Sequence, residues 1–138
     1  MRTLRSLRMI TENAKIGYEQ LLAKKHSTRM ELADRVLPDL IAAAGNTDAG
    51  RVLAAWDRHT DVDSQGAVLF QLFVDRYFSA ATGGMDSKLG VKYDPERPLT
   101  SAHGLADAAG AAAALSAAAD ECMKRYGALD VKWGDVFR

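Results

Sequence analysis

A single cysteine, Cys122, occurs in 138 residues. No internal disulfide can form, so stability must come from packing rather than a covalent staple, and the redox compartment stays undecided. Net charge is missing as well: eighteen basic residues balance eighteen acidic ones. That removes the global electrostatic footprint of a nucleic-acid binder, although the first 36 residues are locally basic. No apolar run approaches the roughly 20 residues needed to cross a bilayer. The opening MRTLRSLRMITENAK has positive charge but no apolar stretch behind it, unlike a secretory signal. Prolines stand only at 38, 95 and 98, which leaves long stretches free to be helical. No repeat recurs at a period of 20 to 50 residues, so a solenoid is excluded.

What is present is organised around DRHTDVDSQGAVLFQLFVDRYFSAA, Asp57 to Ala81. From Ala67 to Phe78 nearly every position is apolar, interrupted only by Gln71, Asp75 and Arg76. A helix apolar on all sides must be surrounded by protein. The pattern predicts a central helix over 65–81, with Asp63 or Ser64 as its N-cap.

Either side of it the helical period dominates. Leu4, Leu7 and Ile10 share one face of a short helix over 2–11, with Arg2, Arg5 and Arg8 on another. Tyr18 to Lys25 reads as a second helix. Thr28 and Glu31 fit a capping box opening a third, with apolar positions Leu32, Val36, Leu37, Leu40, Ile41 and Ala44 and a kink expected near Pro38. Gly45 stops it, Asn46 or Thr47 caps the next, and Val52, Leu53 and Trp56 lie on one side of that helix. Residues 82–104, with their glycines and Pro95 and Pro98, read as a long loop. Asp107 to Tyr126 is an alanine-rich helix closed by Gly127, with Leu105, Ala112, Leu115, Ala119, Cys122 and Tyr126 as the expected contact stripe. The tail alternates apolar and polar residues around Val131, Trp133, Val136 and Phe137, with no partner strand elsewhere. The expected fold is therefore all-α: an irregular bundle of about five to six helices in a single domain, 1–138, with an extended C-terminal tail.

Chemistry is hard to find in these residues. There is no G-x-S-x-G elbow, and Gly83 and Gly84 follow a helix rather than opening one after a strand. His26, His59 and His103 stand apart. The turn Asp57, His59, Asp61, Asp63 lacks the glycine and closing glutamate of a calcium loop, so no metal or other cofactor is expected. Cys122 lies on an apolar helix stripe, where a cysteine is a small core residue. The row Arg2, Arg5, Arg8 could grip a carboxylate or phosphate, and a solvated helix face is the plainer reading for Arg5 and Arg8.

Four stretches in order, RTLRSLRMITENAKIGYEQLLAKKHSTRMELADRVLPDLIAAA, VLAAWDRHTDVDSQGAVLF, YDPERPLTSAHGLAD and ALSAAADECMKRYGALDVKWGDVFR, cover essentially the whole chain. Together they resemble the penicillin acylase family of N-terminal-nucleophile amide hydrolases, specifically the helices of the β-subunit that follow its catalytic asparagine. The resemblance implies a parent enzyme whose N-terminal serine, with its own α-amino group as base, hydrolyses linear amide C–N bonds through an acyl-enzyme. It implies that this chain is a helical segment of that β-subunit, a fragment without the serine or the sheet, inactive alone. By the same resemblance the catalytic asparagine lies upstream of Met1, and Arg2, or Arg5 one turn later, supports the active site. No residue of this chain is assigned a directly catalytic role. The implied partner is the nucleophile-bearing acylase core or a second copy, met through apolar surface on Trp133, Val136 and Phe137, with neither nucleic acid nor membrane involved. The parent family is mostly periplasmic or extracellular. A free-standing helical binding module without activity is the alternative.

Overall fold

The computed structural model describes residues 2–12 and 15–137, with the side chains of Arg2 and Thr82 left aside. Among these residues the chain forms eight α-helices: α1 (Arg2–Thr11), α2 (Tyr18–Lys25), α3 (Glu31–Ala44), α4 (Asp48–Ala55), α5 (Ala67–Tyr77), α6 (Gly84–Lys88), α7 (Ala108–Tyr126) and α8 (Trp133–Val136). The all-α expectation holds.

The reason for the arrangement is α5. Phe70 and Phe73 have no exposed surface, and Ala67, Val68, Leu69 and Tyr77 are buried with them. Rings run along this helix from Trp56 through Phe70, Phe73 and Tyr77, with successive centroids 5.2, 6.0 and 5.4 Å apart. Helix α7 is its main neighbour, α4 and the tail lie against it, and α3 packs on α7 and α4 within the same core; Asp75 and Arg76 are left facing solvent. The alanines of α7 let the two backbones approach while the bulk comes from α5. Its buried stripe is Ala111, Leu115, Ala118 and Cys122. Leu115 and Cys122 were expected there. Ala111 and Ala118 take the buried places expected of Ala112 and Ala119, and Tyr126, at the last position of the helix, is exposed.

Caps account for several helix ends. The Thr47 hydroxyl accepts from Gly50 N–H (3.1 Å) at the start of α4, and Asp107 accepts from Gly110 N–H (2.8 Å) at the start of α7. Gly127 closes α7 in the left-handed conformation. Two expected caps are not used. Helix α3 begins at Glu31 after Met30, with no side-chain cap, because Thr28 is committed to the turn at 59–61 and Glu31 points inward to Arg35. Helix α5 begins after Gly66 at φ 100°; Asp63 accepts from Lys132 (2.7 Å) and Ser64 accepts from Asp61 N–H (3.1 Å) instead. Helix α3 runs continuously through Pro38.

The stretch 82–104 is still the longest connection, but it is not structureless. It contains α6 and strand β1 (Leu89–Val91), which pairs antiparallel with β2 (His103–Leu105) through Leu89–Leu105 and Val91–His103. The Tyr77 hydroxyl lies 3.4 and 3.2 Å from the carbonyls of Lys88 and Asp107, tying both ends of this excursion to α5. The tail also differs from the extended form expected. Lys132 bridges Gln65, the Trp133 and Gly134 N–H groups donate to Ser64 and Val62 carbonyls, and α8 then turns back so that the Trp133 and Phe137 rings pack, tilted, with centroids 4.2 Å apart. The tail found its partner in the turn before α5. Trp133 and Val136 are half-buried there and only Phe137 is exposed. The large apolar side chains left in solvent include instead Ile10 (63% exposed), Tyr18 and Leu21 on α1 and α2.

A side chain at position 66 would meet two penalties at once: a φ of 100° that L-residues avoid, and Trp56 Cβ 2.8 Å from the added Cβ. Gly66→Ala should lower unfolding stability by about 1 kcal/mol or more, measured by urea denaturation. Wild-type stability in that variant would mean that the turn before α5 is not constrained by Trp56.

Candidate functional site

Helix α1 meets α3 through charge, at Arg8. Glu31 and Arg35, four residues apart on α3, are each 3% exposed at the side chain, and Arg35 Nε donates to Glu31 Oε1 at 2.9 Å. Arg8 reaches the same oxygen from α1, with Nε at 3.2 Å and a terminal nitrogen at 3.0 Å, and also donates to the Leu99 carbonyl at 3.1 Å. The rest of the Arg35 fork holds the segment before β2: it donates to the carbonyls of Ser101, Ala102 (3.3 Å) and Pro98 (3.4 Å). Ala102 takes a left-handed φ of 59° with almost no exposure, a conformation costly for a residue with a Cβ. Arg35 gives that turn its compensation.

Arg8 is therefore not a solvated residue, and neither is Arg5. Arg5 is half-buried, and its Nε lies out of solvent with no partner. Glu31 Oε2 is in the same condition. The Arg2 backbone opens α1, and its side chain falls outside what the structure describes. Sequence reading missed Glu31 and Arg35. Their spacing of four on the apolar face of α3 was the available signal.

A second charged knot joins α3 to the turn before α5. Arg29 grips Asp34 with both fork nitrogens, at 2.8 and 2.7 Å, and Arg58 adds a third bond at 2.9 Å. Burial alone would push the Asp34 carboxyl up, but the hydrogen bonds and charges of Arg29 and Arg58 outweigh it and hold the group below its ordinary 3.8. Beside this knot the Thr28 hydroxyl donates to Asp61 (2.7 Å) and stands 3.1 Å from His59 Nδ1. Its one hydrogen goes to the carboxylate, so the imidazole must donate from Nδ1. In a catalytic relay the imidazole sits between hydroxyl and acid. Here the hydroxyl sits in the middle, which fixes the turn and activates nothing. Among the described residues no three His, Cys, Asp or Glu side chains lie close enough to hold a metal. Cys122 donates to the Ala128 carbonyl (3.2 Å), and burial, with Asp130 and Glu121 nearby, raises its pKa, so it remains a thiol.

The arrangement is thus one of buried arginines bracing backbone. The penicillin amidase family model matches this chain over residues 1–138. The acyl-homoserine lactone acylase PvdQ of Pseudomonas savastanoi pv. phaseolicola is 31% identical over 142 aligned positions, covering 92% of this chain. The chain belongs to the penicillin amidase family. It spans 18% of that relative's length. No helix among the described residues is long and apolar enough to cross a membrane.

Asp34 supplies a pH prediction. Its folded pKa is depressed, so its contribution to stability is complete above the ordinary carboxylate value and is lost as pH falls through the lowered one. Asp34→Asn should lower the melting temperature at neutral pH and flatten its decline below about pH 4. Parallel melting curves for variant and wild type across pH 2 to 7 would remove Asp34 from this role.

Proposed function

We propose that this chain is the helical β-subunit segment of a penicillin acylase-like amidase, an enzyme that hydrolyses linear amide C–N bonds. The observation that carries the reading is a family match running the whole chain while the chain spans 18% of the acylase it resembles. The segment supports the active site and part of the acyl-binding cleft, and it is inactive alone. Its partner is the nucleophile-bearing core. Arg2, at the first position of α1, is the residue that supports the catalytic centre in the complete enzyme, with Arg5 one turn later as the alternative. The assembled enzyme works in the periplasm or outside the cell, as members of this family mostly do.

The physical case for a supporting role rests on rigidity. Arg8, Arg35 and Glu31 join α1, α3 and the 98–102 turn through a buried Arg35–Glu31 pair and part-buried bonds to the Leu99 and Pro98 carbonyls. A charge buried in such a network is strongly penalised if its partner moves. The first turn of α1 is held at a fixed place relative to the core, which is what an auxiliary active-site residue needs.

The test grafts this chain into the acyl-homoserine lactone acylase in place of its matching segment. The chimera should cleave the amide of an acyl-homoserine lactone, and the isolated chain should not. Arg2→Ala in the chimera should lower kcat by about tenfold or more without a change in melting temperature. Hydrolysis by the isolated chain, or a folded chimera with no turnover, would overturn the assignment.

A further inference from the structure

Between α1, α2 and the start of α3 lies a cleft of about 770 Å³, and two buried hydrogen-bonding groups in it are unmet. Glu31, 4% exposed, lines this cleft; its Oε1 is bonded by Arg8 and Arg35, and its Oε2 has no partner. Arg5 Nε, also in the lining and shut off from solvent, has none either. A buried polar atom left bare costs about 1–3 kcal/mol, and more when it is charged. The two needs are opposite in kind, one an acceptor and one a donor. A simple anion would answer Arg5 and be repelled by Glu31. A peptide amide answers both, its carbonyl accepting from Arg5 Nε–H and its N–H donating to Glu31 Oε2.

The rest of the cleft suits the same ligand. Met30, Met85 and Trp133 offer apolar wall, and Lys24 and Lys25 stand at the lining. Neither lysine ammonium has an ion pair or hydrogen bond among the described residues, and both lysines lie in the last turn of α2. We propose that this cleft is the docking site for an acidic peptide segment of the polypeptide that completes the acylase. Its backbone amide seats on Arg5 and Glu31, an apolar side chain lies against Met30, Met85 and Trp133, and its carboxylate meets Lys24 and Lys25. The proposal rests on the reading of the chain as part of an acylase, and it names the surface through which the assembly is made. The volume accommodates a few residues, within the range of ordinary ligand clefts, and the like charge of Lys24, Lys25 and Arg5 selects an acidic occupant.

The experiment is a lysine-reactivity footprint, read by mass spectrometry after brief acetylation of the isolated chain and of the same chimera. Lys24 and Lys25 should react about tenfold more slowly in the chimera, while exposed Lys124 on α7 should react alike in both. Lys24→Glu together with Lys25→Glu should lower the melting temperature of the chimera and leave that of the isolated chain unchanged. Equal reactivity of Lys24 and Lys25 in an active chimera would overturn the cleft assignment and leave the acylase reading standing; a cleft filled only by water gives that result. A soluble chimera that hydrolyses nothing would overturn the acylase reading, and the footprint would still decide the cleft.

Discussion

Phe70 and Phe73 lie along one short helix with no surface in contact with solvent, and that burial sets the position of almost everything else. A helix of this composition offers water little beyond Gln71, Asp75 and Arg76, so α4, α7 and the tail pack against it and α3 closes the same core from beyond α4 and α7. The walls differ in kind. Helix α7 supplies small side chains that permit close approach, α3 supplies leucines and valine, and α4 delivers Trp56 at its end. Removing a ring from the centre would leave a cavity that several elements border, which is where large losses of stability arise.

Charge does the work that apolar packing leaves undone. Helix α1 has one buried apolar anchor, Leu4, too little to hold ten residues in place. Arg8 fastens it to Glu31 and Leu99. Arg35 reaches the other way and orders the turn before β2, which is why a stretch rich in glycine and proline has a definite path. Asp34, gripped by Arg29 and Arg58, does the same for the turn that leads into α5. Hydrogen-bonded pairs of this sort contribute modestly to net stability but heavily to uniqueness, because any alternative arrangement strands a charge.

The consequence for function is a division of labour. Neither the thiol nor the hydroxyl beside an imidazole is set up as a nucleophile: Cys122 is buried with its pKa raised, and Thr28 gives its hydrogen to Asp61. The same residues make a rigid platform whose incomplete side, around Arg5 and Glu31, lies next to the first turn of α1. Membership of an amidase family and a platform with bare polar groups fit together if the platform is one component of a larger catalyst.

Much of this was legible from residues alone, for local reasons. The central helix, the Thr47 and Asp107 caps, the Gly127 stop and the apolar face of α3 follow from periodicity and from backbone groups that need partners within a few positions. The family could be read from four ordered stretches, since order and spacing survive in one dimension. The pairing of Arg35 with carbonyls 63 to 67 positions away could not, nor could the partner of the tail. In both cases the choice depended on which distant backbone groups lacked a donor or acceptor after the core had formed. The capping box at Thr28 and Glu31 failed for the same reason: both side chains had a local use, and tertiary contacts across α1 and the 59–61 turn offered better ones. Sequence determined the longer helices, several of their ends and the need to bury α5; only the folded chain decided the remaining ends and where its charges would meet, because a charge finds its partner in space and not along the chain.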